Sequence, residues 1–381
     1  MVNYLLWSVV VLIAWAVLFA VQRPLRRGGR VGVKIAAFVG KLLLMILIAC
    51  LLMTIITCNY WKTEYAMAAV YIVLLADLAF DLICLAIFLV QKSLAGRKRP
   101  DRKAKAAGRG KRALFTVISL LCTVVITAVG TFNMQRVVKS EQTFSSAKLT
   151  KEHTFALISD VHTGTAQDFS AVKDVVAQIM QADPDFVILD GDMVDEYTKK
   201  DEMQQLFELF GSLKMPVYFI YGNHDGSQLE TNGQTFTQEE LTEAIEGAGI
   251  TILADEYVQI SEDLVLLGRE DKDHSNVYLS SSELEERNPS KDSYLLVAVH
   301  QPAPREDLTE LSFDLQVSGH THAGQLFPLC FIENLINFYP LGSYDYNDSK
   351  IFVSAGEAGW GFPLRTEAHC EWNLITLTPE N

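Results

Sequence analysis

Five short apolar runs after residue 153 of this chain each stop on residues that bind metals, and that recurrence constrains the fold more than any other feature. Phe186 to Leu189 leads into Asp190-Gly191-Asp192, where a glycine lets the backbone turn tightly and deliver a carboxylate. A second run ends in Ser159-Asp160-Val161-His162 and a third in Tyr221-Gly222-Asn223-His224-Asp225. The fourth ends in His300 and the fifth in Ser318-Gly319-His320-Thr321-His322. One aspartate at a strand end caps a turn more often than it does chemistry, and Asp190 is expected to be such a turn residue. Five strands ending this way predict a single site at one edge of a sheet, with Asp192 at its centre.

The spacing between these runs gives the architecture. Helical periodicity appears in 171–182 (Val172, Val175, Val176, Ile179, Met180), in 201–213 (Leu206, Phe207, Phe210) and in 238–248, each lying between apolar runs. Further strands are expected at 264–267, 294–299, 315–318, 351–354 and 373–378, with little helix among them. The order βαβαβα followed by strands predicts an α/β sandwich whose functional residues gather at the carboxyl ends of the strands.

The first part of the chain obeys a different rule. Residues 4–22, 42–61 and 113–135 are apolar runs of 19, 20 and 23 residues, and 65–90 is equally apolar apart from Asp77 and Asp81. Each is long enough to span a bilayer as a helix. Four transmembrane helices are therefore expected in 1–135, then a polar linker at 136–152, then a soluble domain at 153–381. The first run lacks the small-residue cleavage site of a signal peptide. Asp77 and Asp81 share one helix face and are read first as bonded within the bundle.

Charge is divided along the same line. Residues 1–140 hold 19 Lys and Arg against 4 Asp and Glu, whereas the rest holds 13 against 42, within a chain of net −14. The stretch 92–112 carries ten Lys and Arg and one Asp, and Arg23 to Lys34 is also basic. Basic loops stay cytoplasmic, which predicts a multi-pass cell-membrane protein with its soluble domain outside the cytoplasm. The acidic domain offers no groove for nucleic acid. No CxxC pair occurs among the six cysteines, and Cys330 and Cys370 are expected to be buried rather than paired.

Asp, His and Asn together supply oxygen and imidazole nitrogen, which suit Mn, Zn, Fe or Mg. Two such ions about 3.5–4 Å apart need a shared ligand, a role open to a carboxylate. At this point the chain resembles the calcineurin-like metallophosphoesterase superfamily and, within it, a membrane-anchored bacterial subgroup. Asp160-Val161-His162 is similar to its D-x-H block, Gly191-Asp192-Met193-Val194-Asp195 to G-D-x-x-D, and Gly222-Asn223-His224-Asp225 to G-N-H-D/E. His300 and Gly319-His320-Thr321-His322 follow in family order, and Gly356 to Pro363 is similar to the subgroup's Gly-rich C-terminal segment.

The resemblance implies a four-layer αββα sandwich holding two divalent metals, with Mn or Zn favoured. Asp160, His162, Asp192 and His322 would bind one ion, and Asp192, Asn223, His300 and His320 the other. A metal-bridging hydroxide would then attack phosphorus in line. His224 would protonate the leaving oxygen, oriented by Asp195, or else by Asp225. Glu196 stands where the phosphoprotein phosphatases of the family place an arginine, which argues against a protein substrate. Arg269 and Arg365 are candidate replacements, although each is read first as a surface cation. His153, His274 and His369 match no motif and are expected at the surface. The expected activity is hydrolysis of a phosphoester or pyrophosphate in a lipid or cell-envelope substrate. The alternatives are soluble nucleotides or phosphosugars, an inactive membrane sensor or scaffold, and a transporter with the soluble half as accessory.

Overall fold

A computed structural model describes residues 125–380 apart from 127, 165–166, 168, 226–235, 276, 303–310, 328, 337 and 361–363. Four expected membrane helices, with Asp77 and Asp81, fall almost wholly outside the described residues. No described helix is long and apolar enough to cross a membrane. The chain divides into two units, Met1–Val129 and Gly130–Asn381, and the second holds all five strand-end motifs.

Two six-stranded sheets pack face to face. The first contains β1 (Val137–Ser146), β2 (His153–Ile158), β3 (Phe186–Asp190), β4 (Val217–Ile220), β5 (Thr251–Ile252) and β12 (Cys370–Pro379), in the order β1-β12-β2-β3-β4-β5. From β2 to β5 the pairing is parallel, and β2, β3 and β4 read as unbroken apolar runs because both their faces are covered. The two-residue period sorts them. Ala156, Ile158, Val187, Leu189 and Phe219 face three helices, α1 (Phe169–Ala182), α2 (Lys200–Gly211) and α3 (Gln238–Gly247). Phe155, Leu157, Phe186, Ile188, Tyr218 and Ile220 face the second sheet. The helices answer with one buried stripe each: Val172, Val175, Val176 and Ile179 on α1, then Met203, Leu206, Phe207 and Phe210 on α2, and Leu241 and Ile245 on α3.

The second sheet is ordered β10-β11-β9-β8-β7-β6. It comprises β6 (Glu256–Ser261), β7 (Leu264–Gly268), β8 (Tyr294–Ala298), β9 (Leu315–Ser318), β10 (Gly342–Tyr346) and β11 (Ser349–Val353). Leu264, Leu266, Leu296, Leu315 and Val317 point at the first sheet, while Val265, Leu267, Leu295 and Val297 point away. The outward face is covered by Leu284 of the short helix α4 (Ser281–Arg287) together with Leu311, Phe313 and Tyr339, so the fourth layer is thin.

One expectation is corrected. Residues 137–146, read as linker, are a ten-residue edge strand running parallel to β12 from Val137–Cys370 to Ser146–Pro379. The strand is half exposed, which is why its polar side chains resemble a linker, yet Phe144 and Leu149 enter the core between the sheets.

Candidate metal centre

The loops that leave β2, β3, β4, β8 and β9 meet over the ends of the two sheets. Asp160 N–H donates to Gly191 O at 3.0 Å and His162 N–H to Asp192 O at 3.0 Å, tying the first two loops together. The β9 loop joins them through His320 N–H, which donates to the Asp160 carboxylate at 3.0 Å. Gly191 adopts φ +77°, and a Cβ there would lie 2.6 Å from His300 Nδ1 and 2.7 Å from Gly222 Cα. Only a glycine lets the three loops approach this closely.

Seven motif residues converge. Asp160, His162 and His322 offer three ligand atoms within 4.8 Å of one another, and Asp192, His300 and His320 offer three more. Asp192 Oδ2 lies 3.0 Å from His300 Nε2 and 3.8 Å from His162 Nε2, placing it between the trios. Asn223 sits in the turn wrapped around Asp192: a Cβ on Gly222 would be 2.4 Å from Asp192 Oδ1, and His224 N–H donates to that oxygen at 2.7 Å. Asn223 Oδ1 is buried and accepts no hydrogen bond from the described residues. Buried carboxylates, imidazoles and an orphaned amide oxygen, grouped at coordination range, fit two oxygen- and nitrogen-seeking divalent cations.

The backbone carries the same imprint. Asp160 (φ 57°), His162 (44°), Asp192 (52°), His320 (69°) and His322 (49°) are left-handed. Such conformations cost about 1–3 kcal/mol each and persist where the surroundings impose them, commonly at functional sites.

Around the trios stand groups that aim the ligands. His300 Nδ1 bonds Asp190 O at 2.8 Å, and His322 Nδ1 bonds Ala358 O at 3.0 Å. Asp195 Oδ2 lies 3.5 Å from His162 Nδ1. This corrects one expected role: the carboxylate that holds His224 is Glu196, whose Oε2 is 2.8 Å from His224 Nδ1. Asp225, the other candidate, accepts the N–H groups of Asp192, Val194 and Gly222 and so braces the two turns. The missed residue has a sequence signal, for Glu196 occupies the position that departs from the phosphoprotein phosphatases.

Electrostatics separate the histidines. Burial opposes a charge on His224, yet the hydrogen bond it donates to Glu196 and the charges of Asp192, Glu196 and Asp195 push it up to about 9. His322 goes the other way, down to about 3, because burial and the neighbouring His162 and Arg365 outweigh Asp160. Asp190 is not the turn residue expected. It ends β3 fully buried, and burial together with the charges of Asp160, Asp271 and Asp192 pushes its carboxyl up to about 8.

Both candidate arginines are buried and engaged in structure. Arg269 bonds Asp255 at 3.3 Å and Leu279 O at 3.1 Å. Arg365 spends its Nη groups on His369 O, Ala355 O and Ala358 O, each at 2.7 Å. His153 is buried against Asp263 at 2.9 Å, while His274 stacks on Tyr221 at 4.0 Å and bonds Glu270. Only His369 of the three unmatched histidines is exposed. Cys330 is partly buried, Cys370 is buried, and both are free thiols.

The region that holds this geometry is similar to known proteins. The sequence pattern of the calcineurin-like phosphoesterases matches residues 153–324. The chain carries a calcineurin-like phosphoesterase domain. An uncharacterized metallophosphoesterase of Helicobacter pylori is 32% identical over 242 residues, covering 61% of this chain and 62% of that protein. The chain thus spans less than two thirds of that relative. The uncharacterized metallophosphoesterase YkuE of Bacillus subtilis is 28% identical over 58% of this chain and 78% of its own length. A transmembrane protein with metallophosphoesterase domain from Danio rerio is 24% identical over 86% of this chain and 76% of its own.

Proposed function

We propose that this protein is a membrane-anchored, metal-dependent phosphoesterase that hydrolyses a phosphoester or pyrophosphate bond in a lipid or cell-envelope substrate, with its phosphoesterase domain outside the cytoplasm. The observation that carries the catalytic reading is the pair of buried ligand trios with Asp192 between them. Asp160, His162, Asp192 and His322 would hold one divalent ion, and Asp192, Asn223, His300 and His320 the second. Such ions, when bound, supply positive charge opposite the phosphate oxygens and acidify water.

The remaining work falls to the chain's own side chains. Glu196 holds Nδ1 of His224, so Nε2 is the nitrogen that delivers a proton to the leaving oxygen. Asp192 Oδ1 fixes the backbone of His224 from the same carboxylate that serves both trios. Asp195 lies 3.5 Å from His162 Nδ1, and its charge also reaches His224. Arg269 and Arg365 are committed to carbonyl and carboxylate partners, so His224 and the ions that the ligand cluster would hold are left to meet substrate charge among the described residues.

Membrane anchoring rests on the four long apolar runs and their basic loops, and on a relative named as a transmembrane protein that aligns over most of the chain. The test uses the full chain in phosphatidylcholine vesicles, analysed for bound metal and assayed with Mn or Zn. Lipid phosphomonoesters, lipid pyrophosphates and phosphodiesters are compared with soluble nucleotides and phosphosugars. Preferential turnover of lipid forms is expected. Turnover of soluble nucleotides alone defeats the lipid reading, and failure to bind metal leaves a non-catalytic scaffold. Protease treatment of intact cells should cut the phosphoesterase domain, and protection would reverse the topology.

A further inference from the structure

Immediately after the His320-Thr321-His322 turn the surface changes character. A seven-residue helix, α5 (Leu329–Leu335), buries none of its residues. Phe327 (62% exposed), Phe331 (61%), Leu335 (67%) and Ile336 (69%) stand in solvent, joined by Ile332 and Phe338. Phe331 and Leu335, like Ile332 and Ile336, are four residues apart and share a helix face. Other exposed large apolar side chains after β1 stand singly, as Met180 does, or as the pair Val277 and Tyr278, which is ordinary for a protein surface. A cluster of this kind marks an interaction site.

The occupant follows from where the chain goes. Residues 113–135, the last of the long apolar runs, lead directly into β1. The end of that run is tied to one strip, 364–367, since Arg365 N–H donates to Gly130 O at 3.0 Å and Asn133 Nδ2 to Arg365 O at 3.4 Å. The apolar helix is tied to the same strip. Phe327 N–H donates to Thr366 Oγ1 at 2.8 Å and Cys330 N–H to Glu367 Oε2 at 2.6 Å. Gln325 completes the link: its Nε2 donates to Leu364 O at 3.2 Å, and its Oε1 accepts from Trp360 N–H at 2.9 Å. Trp360 is itself exposed, and its ring lies 5.2 Å from that of His224.

We infer that the surface from Phe327 to Phe338, with Trp360 at its rim, seats in the headgroup–acyl boundary of the bilayer that holds the N-terminal segment and so presents lipid phosphoesters to the metal centre. The inference rests on the membrane-anchored reading above. Charge specifies the mode of contact. Glu333 is the sole charged residue between Phe327 and Phe338, and no Lys or Arg occurs between Arg305 and Lys350. Attachment is therefore by burial of apolar side chains, without attraction to anionic headgroups, and is insensitive to salt and to lipid charge. A tryptophan at the rim of such a face suits the interface, where its amphipathic ring is at home.

The full chain is reconstituted in phosphatidylcholine vesicles with a photoreactive diazirine amino acid in place of Ile336 and, separately, of Met180. Irradiation should give phosphatidylcholine adducts at position 336, at least about tenfold above those at position 180, given the apolar burial involved. The yield should hold when phosphatidylglycerol replaces part of the phosphatidylcholine and when salt is raised. Adducts to a second copy of the chain, or equal lipid yields at the two positions, overturn the inference. A yield that collapses in salt overturns it too. The readout needs no turnover, so a chain that labels lipid at 336 yet hydrolyses nothing would sink the catalytic reading alone.

Discussion

The two ligand trios each draw on both sheets but are supported differently. Asp192, His300 and His320 leave strand ends directly, and His300 is aimed by a carbonyl of β3 itself, Asp190 O. Asp160 leaves its strand just as directly, but its trio leans on a more distant segment, whose Ala358 N–H donates to Asp160 O at 2.9 Å. His162 has Asp195 3.5 Å away, and His322 bonds Ala358 O, a carbonyl that Arg365 also holds. One half of the site is thus built into the sheet, and the other is propped by the segment between β11 and β12. The difference predicts that the halves can be damaged separately, except through the carboxylate lying between them.

Removing that carboxylate should have the largest effect. Asp192→Ala is expected to lose both metals and with them all detectable turnover, read by elemental analysis alongside an activated phosphoester assay. Retention of one stoichiometric ion would mean that Asp192 does not link the halves. His224→Ala comes next, with kcat lowered about 10²–10⁴-fold while two metals stay bound, if the imidazole handles a proton and no metal as proposed. Metal loss in that variant would place His224 among the ligands. Glu196→Gln should be milder and should act through pH. Glu196 helps hold His224 up at about 9, so its neutral replacement lowers that value, and the alkaline fall in kcat begins at a lower pH. An unchanged profile would return the orienting role to Asp195.

Arg365→Lys tests the propped half by itself. Lysine keeps the charge but cannot serve three carbonyls with a planar fork. Metal affinity at the Asp160–His162–His322 trio should fall about 10–100-fold, as for other groups that support ligands, and the second trio should be spared. Titration with Mn²⁺ should then separate the two sites further than in the native chain. Equal weakening of both would erase the proposed asymmetry.

The sequence made the strand-end residues legible because each motif is local: a run of apolar residues, a turn, a ligand. What it hid is non-local. β1 looks like a linker since an edge strand needs few apolar side chains, and its partner β12 lies more than 200 residues on. Nothing near His153 announces Asp263, 110 residues away, which is why a buried pair passed for surface. The arginines failed for the same reason, since Arg365 finds its carbonyls only when the segment before β12 folds back. Glu196 was visible as a departure from the family pattern, but its partner His224 comes from another strand.

The smallest expected effect concerns stability. Glu357 lies beside Ala358 in the supporting segment, fully buried, and its carboxylate oxygens find no hydrogen-bond partner among the described residues. Burial alone pushes it up to about 8 from a usual 4.5. Asp190 is the matching buried carboxyl of the other trio, but it feels His300 and nearby aspartates, so its titration would be entangled with the ligands. Glu357 gives the cleaner reading. Its folded-state value lies above its unfolded one, so between about pH 4.5 and 8 the folded chain binds more protons than the unfolded. Stability contributed by this group is therefore complete below that window, declines as pH rises through it, and is flat above. Glu357→Gln abolishes the titration. The thermal midpoint of the variant should match the native one near the acid end of the window and exceed it by a few degrees at the alkaline end. An equal shift at both ends would mean that the carboxyl is ionised in the fold and has a partner that opposes its burial.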